Sequence, residues 1–191
     1  DQTNPIIYDN KIVWQDSRNG NWDIYLLKID PVGKISGYIN LQNVINNQTQ
    51  ITFEIRDPEI GINVIDASND EDPSKPGTQV TLESDGSYTL YNIPQGIYDI
   101  TAKGSKWLRQ KKTNIEIREG STTNLNFDLL GGDANNNNYV NVYDLNIVKK
   151  SYAKSEGQTG YDDKADLNND KKVNVLDLNI LKGNYGKVGE E

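Results

Sequence analysis

The residues of this chain best suited to chemistry are short oxygen donors, and they gather near its end. DANNNNYVNVYD, residues 133–144, and DLNNDKKVNVLD, residues 166–177, are two copies of one twelve-position pattern set 33 residues apart. Such an internal repeat outranks any local reading. Positions 1, 3, 5, 9 and 12 are Asp133, Asn135, Asn137, Asn141 and Asp144 in the first copy. In the second they are Asp166, Asn168, Asp170, Asn174 and Asp177. Position 7 is Tyr139 and then Lys172, where the backbone carbonyl is the available oxygen. Asp and Asn carry hard oxygens close to the backbone and tolerate tight turns. The chemistry this spacing suits is the wrapping of a hard divalent cation, and calcium takes six to eight such oxygens.

The order of donors is that of the EF-hand calcium loop, with position 9 often acting through a water. Two departures carry consequences. Position 12 is Asp in both copies instead of the longer Glu, which draws the following helix closer to the ion. Position 6, normally a glycine with positive φ, is Asn138 and then Lys171. Asn accepts that backbone cheaply, whereas Lys carries a strain of about 1 kcal/mol. The first loop supplies two carboxylates and the second three, so the second is expected to fill first and hold harder. A pair of polar Asx turns binding nothing is the plainer alternative, and two matched loops that each run into an apolar segment argue against it.

Each loop leads into a helix-like pattern. Leu145, Ile147, Val148 and Tyr152 form the apolar stripe of the first copy, and Leu178, Ile180, Leu181 and Tyr185 that of the second. No helix leads into either loop, and Gly131-Gly132 precedes the first. This loop-helix duplicate resembles the dockerin domain of cellulosome-type assemblies, over residues 131 to about 188. The resemblance implies two bound Ca2+ ions and a cohesin domain as partner. It places the partner-binding residues at loop positions 10 and 11 and on the helix that follows. Here these are Val142, Tyr143, Lys149 and Lys150, then Val175, Leu176 and Lys182. Apolar residues at positions 10 and 11 lean toward the type II group or a divergent one. Val142 and Val175 can equally pack inside the domain, and so, less readily, can Tyr143 and Leu176.

The elements that must carry these loops lie upstream. Residues 33–130 alternate apolar and polar in short runs: KISGYINL, QITFEIRD, INVIDA, QVTLES, SYTLYNI, GIYDITAKG, TNIEIREG and NLNFDLL. Period-two alternation between turns predicts an antiparallel sandwich, with Asp85-Gly86 as a hairpin turn and residues 66–78 as a long polar loop. The segment resembles the prealbumin-like and carboxypeptidase-regulatory-like Ig modules. Followed directly by the calcium loops, it looks like the X-module of an X-module and type II dockerin pair. Lys34 and Asn126 resemble the isopeptide pair of some related domains, although two solvent-facing positions describe them as well. Residues 1–30 read as a β-hairpin, KIVWQD and WDIYLL around SRNGN, and resemble one TolB-like propeller repeat. The predicted fold class is therefore mixed and mainly β: residues 1–30 a hairpin, 33–130 an Ig-like sandwich, and 131–191 a small all-α, EF-hand-like duplicate.

Composition bounds what else the chain can do. The net charge is −8 and there is no His, Cys or Met. The charge argues against nucleic acid as a partner, and without His or Cys the usual zinc sites, a thiol nucleophile and a His-based triad are excluded. No apolar run reaches the roughly 20 residues of a membrane span. The chain opens without Met or a leader and reads as a processed or excised piece, with one sequon at Asn47-Gln48-Thr49. The leading expectation is a non-catalytic docking module acting outside the cell or at its surface. The alternative is a calcium-stabilised surface protein that self-assembles into a fibre or layer. Carboxylate pairs such as Asp162-Asp163, or Glu54 with Glu59, are better explained as solvated acids than as glycosidase groups.

Overall fold

The computed structural model describes residues 2–8, 11–18, 20, 22–28, 31–45, 48–59 and 78–191. The INVIDA run, residues 66–77 of the polar loop and Asn47 of the sequon lie outside the described residues. The chain begins with a three-stranded antiparallel sheet, β1 (Gln2–Tyr8), β2 (Lys11–Asp16) and β3 (Asp23–Lys28), in spatial order β1-β2-β3. β2 and β3 are the expected hairpin, stapled by stacking of Trp14 on Tyr25 at 5.5 Å. β1 is an addition to it. Its Pro5 argues against a strand in the sequence, but the pairing register shifts between Thr3 and Ile6 on this edge strand. A proline is tolerated at such a place.

Eight strands follow: β4 (Val32–Leu41), β5 (Gln50–Arg56), β6 (Thr78–Thr81), β7 (Ser87–Pro94), β8 (Gly96–Gly104), β9 (Gln110–Ile117), β10 (Thr122–Asn124) and β11 (Phe127–Leu129). One sheet runs β6-β5-β8-β9, and the other joins β7, β10 and β11 to β4. The alternation works as the sequence implies: Ile51, Phe53 and Ile55 of β5 turn inward, as do Leu125, Phe127 and Leu129. Phe53 sits against Tyr88 at 4.6 Å and edge-on to Phe127 at 6.0 Å in the centre of the core. The sandwich is antiparallel except at β4, which runs parallel to both β10 and β11.

NLNFDLL is not one continuous strand. The chain breaks at Leu125-Asn126, where the Leu125 carbonyl crosses over Gly37 and accepts the buried Tyr88 hydroxyl at 2.7 Å. A Cβ on Gly37 would lie 2.0 Å from that carbonyl oxygen. Gly37→Ala is therefore expected to destabilise the sandwich by about 3 kcal/mol, the upper end of ordinary overpacking, read from the urea midpoint at unchanged slope. The same break settles the isopeptide resemblance. Lys34 lies opposite Thr122, whereas the Asn126 Oδ1 accepts the Tyr38 N–H at 2.8 Å, and both Lys34 and Asn126 are solvent-facing.

The C-terminal part holds α1 (Val142–Ser151), a short 3-10 turn (Asp163–Ala165) and α2 (Val175–Asn184). Its core is separate from that of the sandwich and is built from Val140, Val148, Ala165, Leu167, Val173, Ile180 and Leu181. Tyr152 and Tyr185, expected on the apolar stripes, instead close the helices as C-caps and are exposed. Among the described residues no helix is long and apolar enough to cross a membrane.

Candidate metal centres

Both twelve-residue loops take the same backbone path. Positions 4 and 6 have positive φ in each: 61° and 65° at Asn136 and Asn138, 57° and 67° at Asn169 and Lys171. Lys171 thus occupies the left-handed region that its place in the loop demands. Within the first loop, Asn137 and Asn138 donate their N–H groups to the two carboxylate oxygens of Asp133, each at 2.9 Å. The Asn135 side chain accepts the Asn137 N–H at 3.0 Å, and the Asn137 side chain accepts that of Tyr139 at 3.0 Å. The second loop repeats this with Asp166 accepting from Asp170 (3.1 Å) and Lys171 (2.7 Å), Asn168 accepting from Asp170 (3.1 Å), and Asp170 from Lys172 (2.9 Å).

The end of each loop serves two purposes. Asn141 and Asn174, at position 9, accept the N–H of Tyr143 and Leu176 at 2.8 Å and so cap α1 and α2. Asp144 and Asp177, at position 12, reach back to the N–H of Asn141 (2.8 Å) and Asn174 (2.7 Å). Positions 9 and 12 are therefore the N-cap and N3 of a capping box. The Asn-x-x-Asp spacing carried that signal in the sequence. The two Asn side chains named as candidate ligands at position 9 are turned to the helix ends.

The donor chemistry fits a hard cation. Asp133, Asp144, Asp166 and Asp177 are all essentially inaccessible to water. Buried carboxylates are costly unless a cation or several hydrogen bonds answer them. Apart from their N–H partners they keep unused lone pairs, since each oxygen can accept twice. Burial pushes the Asp177 carboxyl up, against the pull of the N–H groups of Asn174, Leu167 and Asn168. A divalent ion at that point would supply the missing charge. Among the described residues no three acidic side chains are brought close enough together to hold a metal ion, and this includes Asp166, Asp170 and Asp177 of the second loop. The first loop has only two, and the amide oxygens of Asn135 and Asn137 would complete its set.

Position 8 was not singled out as a site but organises both loops. Val140 exchanges backbone hydrogen bonds with Lys187 and Gly186, and Val173 with Lys154 and Ala153. Each loop is thus paired with the segment after the other copy's helix, which ties the two copies into one unit.

Two lysines of the sandwich reach the loops, and no local pattern announced either. Lys103, at the end of β8, places its Nζ 2.7 Å from Asp133 Oδ2 and 2.8 Å from Asn136 Oδ1, with the carbonyls of Trp107 (2.7 Å) and Gly104 (2.9 Å) around it. Burial lowers its pKa, and the Asp133 carboxylate opposes that. Lys106 reaches the Asp166 carbonyl and Asn169 Oδ1, both at 2.9 Å, and pairs with Asp163 at 3.0 Å. Further bonds close the seam: Ile45 N–H to the Asn168 carbonyl (2.9 Å), Arg109 N–H to Asn138 Oδ1 (2.8 Å), and the Asn184 side chain to the Gly131 carbonyl (2.8 Å). The acidic pairs considered for catalysis are spent elsewhere, Asp163 on Lys106 and Glu54 on Arg56 at 2.8 Å.

The residues at positions 10 and 11 do not pack inside. Val142 is 47% exposed, Tyr143 67%, Val175 53% and Leu176 50%, each in the first turn of its helix. Lys149 and Lys150 are exposed in the last turn of α1, and Lys182 in that of α2. A mainly apolar groove of about 340 Å³ joins Leu176, Asn179 and Ile180 to Asn43 and the exposed Ile45 of the sandwich.

Residues 131–184 match the family model of the dockerin type I domain. Two interface mutants of a type II cohesin–X-dockerin complex from Acetivibrio cellulolyticus contain a chain of similar fold. The TM-score is 0.62 in both, at 18% and 19% identity, over 82% of this chain and 97% of that chain. No curated protein sequence matches. Over most of its length the chain therefore shares the fold of a chain in those complexes, and residues 131–184 are the part that resembles dockerin domains.

Proposed function

We propose that this chain is a calcium-dependent docking module that binds a cohesin domain in an extracellular or cell-surface assembly and carries no catalysis of its own. The observation that bears most weight is the pairing of each oxygen-lined loop with a helix start that exposes two apolar residues. Two calcium ions, held by Asp133, Asn135, Asn137, the Tyr139 carbonyl and Asp144, and by Asp166, Asn168, Asp170, the Lys172 carbonyl and Asp177, would fix those helix starts. Asn141 and Asn174 would act, if on the ion, through water. Val142, Tyr143, Val175 and Leu176 then form the apolar centre of the docking face, with Lys149, Lys150 and Lys182 as its charged rim. The solved cohesin–X-dockerin complexes of similar fold support this reading. So does the domain division, with residues 33–130 as the supporting sandwich and 131–191 as the plug.

The test is calorimetry with calcium against a panel of cohesins. Tyr143→Asp combined with Leu176→Asp should weaken capture at least a hundredfold while circular dichroism stays unchanged, because charge on the helix starts leaves both cores intact. Unchanged affinity in the double variant would remove the proposed face. A second reading, self-assembly into a fibre or layer, is favoured by exposed Ile6 and Ile24 on the first sheet and Trp22 just before β3. Light scattering in calcium without any partner separates them: growth supports assembly, and a monomer that captures cohesin supports docking.

A further inference from the structure

The two loops are alike in their own residues but unlike in what holds the outer oxygen of their first carboxylate. In the second loop, Asp166 Oδ2 accepts the Tyr161 hydroxyl at 3.0 Å, a neutral group from the same domain. In the first loop, the equivalent oxygen of Asp133 accepts the Lys103 ammonium at 2.7 Å, a positive charge delivered by the sandwich. Lys106 does not mirror this. It meets Asp166 only at the backbone carbonyl, and the Asp163 carboxylate answers its charge.

Building on the calcium reading above, we propose that Lys103 lets the sandwich set the metal affinity of the first loop, lowering it relative to the second through the charge it holds on Asp133. The Lys103 side chain is largely buried and Asp133 is fully buried, so water screens the ammonium poorly. A cation bound by Asp133 must share that carboxylate with a positive charge already in place, whereas a cation on Asp166 shares it with a hydroxyl. The effect adds to the smaller number of carboxylates in the first loop. It makes the first site the one that empties as calcium falls, and it places control of that site in a residue outside the dockerin segment.

The experiment is a calcium titration of the full chain followed by NMR, with the Asn138 and Lys171 amides reporting the two loops separately. In the unaltered chain the Lys171 signal should saturate first. Lys103→Gln keeps a hydrogen-bond donor and removes the charge, and Lys103→Met serves as a second neutral variant. Each should move the Asn138 midpoint to about tenfold lower calcium and leave the Lys171 midpoint in place. Lys103→Arg, which keeps the charge, should behave like the unaltered chain. An Asn138 midpoint that stays put or rises in both neutral variants overturns the proposal, as does an equal shift in Lys103→Arg. If neither amide responds to calcium in any variant, the calcium reading itself falls, a result distinct from binding without a Lys103 effect.

Discussion

Excess EDTA is expected to abolish the helical signal of residues 131–188 and, with it, capture of any cohesin, while the sandwich keeps its strand signal. Four carboxylates, Asp133, Asp144, Asp166 and Asp177, are buried in this small domain. Without a divalent ion, only Asp133 among them has a cation within ion-pair distance among the described residues, Lys103, whose charge is felt by Asp144 as well. Position 12 also belongs to the capping box of each helix. Loss of the proposed ion would therefore unseat loop and helix start together, which would couple metal binding to folding. Among the described residues the core of this part is nine buried residues, of which only Leu108 comes from the sandwich segment. The sandwich has its own larger core, which does not depend on the loops. Circular dichroism at 222 nm with and without calcium is the measurement, and an unchanged helical signal in EDTA would count against the whole reading.

The second large effect is expected at Trp107. It is 1% exposed, belongs to the sandwich core, and makes an isolated β-bridge to Gly131 at the start of the dockerin segment. Truncation to Ala should cost about 3–5 kcal/mol, the range for emptying a large aromatic site. Ring volume and the indole N–H make separable contributions. The indole N–H has no hydrogen-bond partner among the described residues, so Trp107→Phe removes an unsatisfied donor along with some volume. It should lose less than half of what Ala loses. Urea denaturation of both variants in calcium checks this. Equal losses in Phe and Ala would mean that the indole N–H, and not the ring volume, carries the contribution.

The two oxygen-lined loops were legible because the geometry they need is local. A ligand set spanning twelve residues depends on spacing and on short oxygen side chains, and both are written in DANNNNYVNVYD and DLNNDKKVNVLD. The positive φ at Lys171 follows from its position in the loop. The alternation of QITFEIRD likewise places Ile51, Phe53 and Ile55 inside without further information. The helix stripes were only partly legible. Tyr152 and Tyr185 fit the apolar spacing, yet they fall one residue beyond the helix, where the chain turns away and leaves them in water. β1 lay outside the expected hairpin, and the register shift beside its proline is a property of the pairing and not of the strand.

The sequence by itself determined the fold class, the two oxygen-lined loops and the helices they cap, because each of these rests on contacts between residues a few positions apart. Only the tertiary structure decided that Val142, Tyr143, Val175 and Leu176 face water, since burial depends on what packs above a residue. It also decided that β4 lies parallel to β10 and β11, that each position-8 valine pairs with the segment after the other copy's helix, and that Lys103 and Lys106 reach the loops. Those last contacts span 30 residues from Lys103 to Asp133 and 60 from Lys106 to Asp166. No spacing rule reaches that far, because the partners meet only after two separate cores have formed and docked.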